Sequence, residues 1–197
     1  MINGRQIIVS EYCPEWANHF SAEAAVLAAR LGEHLVAIHH IGSTAVPGLA
    51  AKPIIDILLE VITHDSSDIT SALCASGYQA RGENGMPGRR YYTKSLQGRR
   101  THHVHAFIQG SPDIIRHLAF RDYLRKYPDI RDSYAAVKYA AQRDCGGDSN
   151  VYCELKKCVC SDPLATRTSP LSLLNYLSER VFIFLLQNLA LPCLHIQ

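Results

Sequence analysis

The sequence predicts a mixed α/β fold, α+β in class, on three observations. Residues 14–35 bring Trp16, Phe20, Ala24, Leu27 and Leu31 together at near-helical spacing, which reads as a core-facing helix. Residues 54–61, IIDILLEV, form a nearly continuous apolar run after Pro53, the pattern of a strand covered on both faces. Residues 91–96 and 101–108 read as two strands on either side of a turn at 97–100.

Taken in order, residues 6–10 are an extended lead-in and Pro14 opens the first helix. Residues 35–41 are a strand that ends at Gly42-Ser43. The segment 44–53 is a turn punctuated by Pro47, Gly48 and Pro53, and the last of these biases the chain back to extended structure. Residues 67–76 are a helix closed by Gly77, and 78–80 resume the sheet. Residues 81–90 are a Gly- and Pro-punctuated loop with Arg89 and Arg90 at its exit. Because strand side chains alternate, His103 and His105 share one face and His102 takes the other. Ile114, Ile115, Leu118, Ala119, Tyr123 and Leu124 support a helix over 113–127, with Pro128 as a break before helices at 129–142 and 150–159. Arg121, Asp122 and Lys138 read as a helix-surface ion-pair network. Residues 1–160 are therefore expected to form the main domain, and 161–197 a C-terminal extension, helical over 171–191, that offers either packing or a contact for a homo-oligomer.

Composition removes several classes of function. A formal charge of +2 is too small for nucleic-acid binding by bulk electrostatics, so no extended nucleic-acid surface is expected and anions must be met by local clusters. The apolar stretch 181–191 is too short to span a bilayer and contains Gln187 and Asn188, and the first residues hold no apolar signal core. A soluble cytoplasmic protein with no membrane association is the expectation. Seven cysteines, with Cys145, Cys153, Cys158 and Cys160 close in sequence, match no paired zinc spacing and read as reduced thiols.

Candidate chemistry converges on residues 37–61. Gly42 and Ser43 offer backbone N–H groups and a hydroxyl to a phosphate, and Lys52 is a second phosphate contact. Asp56 sits among Ile54, Ile55, Ile57, Leu58 and Leu59, where an ionised carboxylate needs a metal, a cation or hydrogen-bond donors. Arg89, Arg90 and Arg99 are the anion cluster, because guanidinium pairs phosphate bidentately. His39, His40, His64, His117 and His195 read as surface or packing residues.

Several motifs then occur in a familiar order: HHIGSTAVPGLAAKPIIDI, GENGMPGRRYY, RTHHVHAF, LAFRDYLRKYPDI, AAVKYAA, and Tyr152 with Lys156, preceded by EYCPEWANHF. Together they resemble the GrpB family of nucleotidyltransferase-like proteins over residues 6–160. The resemblance implies a polymerase-beta-like mixed sheet with flanking helices, in which a Gly-Ser turn holds a nucleotide phosphate and a nearby strand supplies metal-binding carboxylates. Some members of the family look related to a domain attached to dephospho-CoA kinases.

An active site of that kind places two carboxylates two residues apart on one strand face. Here the same-face neighbours of Asp56 are Ile54 and Leu58, and Glu60 lies roughly 13 Å along the strand at about 3.3 Å per residue. If the strand of His103 and His105 lies beside Asp56, one carboxylate and two imidazoles make a site for a divalent ion, with Mg, Mn and Zn left open. The expected activity is phosphoryl or nucleotidyl transfer on a nucleotide or other anionic small molecule. Two alternatives stand beside it: a non-catalytic nucleotide- or CoA-like ligand-binding module, and the same fold turned to acid/base chemistry by His103 or His105 on a small metabolite. A purely structural role, with Asp56 ion-paired to Arg89 or Arg90, is the remaining reading.

Overall fold

The computed structural model describes residues 7–63 and 67–161, with side chains to residue 155. His64, His195 and the expected helix and oligomer contact within 161–197 lie outside the described residues. Two compact units divide the chain, Ile8–Arg121 and a second that includes the chain from Asp122 onward.

In the first unit, the helix α1 runs Glu15–Leu31 and stops where Gly32 turns to φ +52, short of the expected residue 35. The strands follow as β1 Leu35–Ile41, β2 Ile55–Val61, β3 Tyr78–Ala80, β4 Arg90–Leu96 and β5 Arg99–Ile108, with the helix α2 Ser67–Ala75 between β2 and β3 and the helix α3 Pro112–Lys126 after β5, of which the part to Arg121 belongs to this unit. The sheet order is β1-β2-β5-β4-β3, and β2 pairs antiparallel to β1 and parallel to β5. β2 is therefore interior, as its apolar run requires. The hairpin of β4 and β5 closes tightly on Gln97 (φ 50) and Gly98 (φ 76), so the strands extend closer to the turn than expected.

One face of the sheet carries Ile55, Ile57, Leu59, Val61, Tyr92, Val104 and Ala106, which pack with Trp16, Leu27 and Leu31 of α1 and Ile69 and Leu73 of α2. On the other face, Ile41, Leu58 and Phe107 pack with Ile114 and Leu118 of α3 and with Met86. Burying these side chains stabilises by about 1.5–3 kcal/mol each relative to exposure, so both faces are firmly held. Pro53 and the strand alternation thus leave Asp56 and Glu60 as the two polar members of an otherwise apolar interior strand.

In the second unit, α4 (Pro128–Asp144) packs with α5 (Ser149–Ser161), whose first turn is capped by Asp148 Oδ1 accepting from the N–H groups of Asn150 and Val151. Lys138 is 2% exposed with its Nζ 4.6 Å from the Tyr134 ring centroid, which corrects its reading as a surface charge. Among the described residues no helix is long and apolar enough to cross a membrane.

Candidate functional site

Register builds the site. Asp56 on β2 lies directly opposite His103 on β5, and Leu58 opposite His105, so alternation turns one carboxylate and two imidazoles onto the same face. Asp56 Oδ1 accepts a hydrogen bond from His103 Nδ1 at 2.9 Å, and His105 Nε2 lies 3.9 Å from the same oxygen. One donor atom from each residue falls within 4.8 Å of the other two, the one such group of His, Cys, Asp or Glu side chains among the described residues.

Gly42 is held to glycine by its neighbour. It follows Ile41, the β1 partner of Asp56, at φ +68, and a Cβ there would stand 3.0 Å from Asp56 Cβ and Cγ and collide with Oδ2. Glycine alone lets the backbone lie on this carboxylate. Ser43, half-buried, begins a short 3-10 turn over Ser43–Ala45, and Lys52 is half-buried on the lead-in to β2.

The electrostatics separate the ionised group from the neutral ones. Burial alone would push the Asp56 carboxyl up, but hydrogen bonds and charge from His103 and His105 outweigh it and hold the group well below the usual carboxylate range. Burial pushes His105 down, assisted by the Arg89 charge and opposed by Asp56. The His117 ring, from α3, lies tilted at 58° to the His105 ring with centroids 5.5 Å apart, and burial, His105 and Arg116 lower it to about 4. Two ring nitrogens here, His103 Nε2 and His117 Nε2, are buried without a hydrogen-bond partner. Tyr91 walls the group, its ring centroid 5.4 Å from that of His103 and 5.1 Å from that of His105.

Of the three arginines expected to form one anion cluster, the structure brings only Arg89 to this face. It is 7% exposed, and its Nε and Nη2 donate to the carbonyls of Glu83 and Asn84 while Nη1 reaches His105 Nδ1 at 3.4 Å. Those loop carbonyls occupy the fork that an anion would use. Arg90 alternates onto the opposite face from Tyr91 and lies 3.8 Å from Glu83 Oε1. Arg99 is exposed at the turn end of the hairpin, opposite Leu96, whereas Arg90 is paired with Ala106 at the far end. Neither Arg89 nor Arg90 ion-pairs Asp56, whose partners are the two histidines.

His117 was missed because a lone helical histidine reads as packing. Its place three residues after Ile114, on the inward stripe of α3, is the signal that could have found it. His39, on the same sheet face, lies 2.8 Å from Glu60 Oε1.

The GrpB protein family model matches residues 6–165. The UPF0157 protein YqkA of Bacillus subtilis (strain 168) is 47% identical over 135 residues, 68% of this chain and 39% of that protein. A dephospho-CoA kinase of Mycolicibacterium paratuberculosis is 30% identical over 170 residues, 73% of this chain and 42% of that protein. The chain thus spans less than half the length of either relative. The crystal structure of conserved protein GrpB from Enterococcus faecalis superposes with a TM-score of 0.70 at 39% identity, covering 76% of this chain and 95% of that one. Cid1 poly(U) polymerase with MgGTP bound superposes at 0.54 with 13% identity, over 93% of this chain and 72% of that one, a likeness of fold. The fold is nucleotidyltransferase-like.

Proposed function

The chain belongs to the GrpB family, and from that premise we propose that it is an enzyme acting on a nucleotide or other phosphorylated small anion at a metal-assisted site of Asp56, His103 and His105. The observation that carries this reading is the β2–β5 register, which converts two distant sequence motifs into one carboxylate and two imidazoles with converging donor atoms.

The donor set fits a divalent ion. Ligands must be deprotonated to bind, and here the carboxylate is held ionised and His105 is held toward its neutral form. An O···N separation of 2.9 Å between Asp56 Oδ1 and His103 Nδ1 is near the edge of a coordination shell whose bonds are about 2.0–2.2 Å. Ligation through Nδ1 puts the His103 ring proton on Nε2, in place of the hydrogen bond to Asp56. Ligation through His105 Nε2 puts its ring proton on Nδ1, so the long Arg89 contact is the one the site gives up. When bound, such an ion polarises a phosphoryl oxygen. The chain's own residues do the rest: the Gly42-Ser43 turn and Lys52 receive phosphate oxygens, Tyr91 and His117 limit water around the imidazoles, and the β2–β5 register sets Asp56 opposite His103. The reaction class is phosphoryl or nucleotidyl transfer, in which positioning and charge neutralisation carry most of the catalysis.

A second reading, a non-catalytic nucleotide- or CoA-like ligand module, is favoured by one observation: Leu58, two residues after Asp56 on its face, is fully buried where a second carboxylate would stand. Incubating the purified chain with Mn2+ and a panel of nucleotides and phosphoesters, followed by 31P NMR, separates the two. Metal-dependent conversion that disappears in His105→Asn supports the enzyme. Nucleotides that raise Tm without metal, by a shift that Asp56→Asn leaves unchanged, would establish the binding module instead.

A further inference from the structure

Resting on the metal-assisted reading, we infer that the site takes one nitrogen-preferring transition-metal ion rather than a magnesium pair, and that its ligand presents a single phosphate rather than a triphosphate. Two magnesium ions need carboxylates to hold and bridge them, and among the described residues no second carboxylate joins the group of Asp56, His103 and His105. Leu58 is 0% exposed, locked among Ile41, Phe107 and Ile114, and its β5 partner is His105. Glu60 lies roughly 13 Å from Asp56 along the strand and is 2.8 Å from His39.

Ligand chemistry leads to the same choice. Magnesium demands near-octahedral oxygen ligation, whereas two imidazole nitrogens with one carboxylate oxygen suit ions such as zinc or iron. Charge sets the partner. A divalent ion beside one carboxylate and two neutral rings leaves a single excess positive charge, and Lys52 adds a second, together enough for one phosphate dianion. A triphosphate would need further cations on this face, and Arg89 is engaged by the Glu83 and Asn84 carbonyls while Arg90 and Arg99 lie elsewhere.

The test uses the full chain, stripped with chelator and titrated calorimetrically with Zn2+, Mn2+ and Mg2+. One ion per chain is expected, with Zn2+ bound on the order of 100-fold more tightly than Mg2+. The Mn2+ form should give the electron paramagnetic resonance of an isolated ion, and AMP should bind the loaded chain within about tenfold of ATP, because Arg89 is engaged by loop carbonyls, Arg116 is paired with Asp113, and Arg90 and Arg99 lie elsewhere. Two Mg2+ per chain, exchange-coupled Mn2+, or ATP preferred by more than 100-fold overturns the inference and leaves the metal-assisted reading standing. Failure of every ion to bind overturns both. His105→Asn, or Asp56→Asn should the first not fold, must lose the ion while keeping the native circular dichroism. Retention by a folded variant puts the ion elsewhere and also overturns the inference.

Discussion

Two polar clusters lie on opposite faces of this sheet, and they differ in whether their members are satisfied. On the α1 face, Lys94 Nζ donates to both oxygens of Glu23 at 2.8 and 3.0 Å, and the Tyr78 hydroxyl donates to Glu23 Oε1 at 3.0 Å. Lys94 also lies over the Tyr78 ring at 5.4 Å. On the α3 face, Asp56 is shared by two imidazoles, yet His103 Nε2 and His117 Nε2 remain buried with nothing to bond. A buried polar group without a partner costs about 1–3 kcal/mol, so a fold keeps it where a ligand completes the set. The Glu23 cluster, on α1, β3 and β4, reads as structure, and the Asp56 cluster, on β2, β5 and α3, as the candidate site.

The largest effect that could break this contrast is on metal affinity. Asp56→Asn removes the one anionic ligand, and the affinity for Zn2+, followed by calorimetry, should fall by at least about 100-fold. The thermal stability of the stripped chain should change far less. If Asp56→Asn costs stability and leaves ion binding intact, the α3 face is structural like its counterpart.

Glu23→Gln asks the converse. It leaves Lys94 with a neutral partner in a half-buried setting, and chemical denaturation should show a loss of about 1–3 kcal/mol. Metal affinity should stay within twofold. A smaller expected loss attaches to Tyr78→Phe, about 1 kcal/mol at neutral pH for one hydrogen bond to a charged acceptor. This variant also carries a pH signature. Burial, with the Glu23 charge and hydrogen bond, raises the Tyr78 phenol well above its ordinary value of 10.0. The folded state therefore holds this proton more tightly than the unfolded state. The resulting stability is fully present below pH 10 and is lost as pH rises beyond it. Denaturation curves of Tyr78→Phe should fall less steeply above pH 10 than those of the unsubstituted chain, and identical slopes would detach Tyr78 from the cluster.

Much of the α3 face was legible in the sequence. The bounds of β1, the interior position of β2, and the shared face of His103 and His105 follow from apolar runs, Pro53 and the period of two, which act locally, whereas the pairing that brings Asp56 beside them was only a condition and is met through the β2–β5 register. Cations were harder. Their long side chains reach in any direction, so Arg89 could serve a loop while reading as an anion contact, and Lys138 could be buried while reading as solvated. His117 required knowledge of which stripe of α3 faces the sheet, a tertiary fact that periodicity narrows but does not name. Gly42 was noticed for the right conformational reason, but the neighbour that needs its missing Cβ, Asp56, lies 14 residues on and is met only through the β1–β2 register.

The smallest expected effect is the one that most directly separates sequence proximity from spatial proximity. Arg99 and Arg90 are nine residues apart in the chain, yet the antiparallel register pairs Arg90 with Ala106 and Arg99 with Leu96, at opposite ends of the hairpin. From Arg99 to the His103 level is four residues of strand, roughly 13 Å, beyond the reach of an arginine side chain to a phosphate held at Asp56. Arg99 is also exposed, where a charge interacts weakly through high-dielectric solvent. Arg99→Ala should therefore leave stability within about 0.5 kcal/mol and phosphate affinity of the metal-loaded chain within twofold. If phosphate binding instead falls tenfold, the anion spans the hairpin, and the ligand is longer than the single phosphate that the Asp56 site can neutralise.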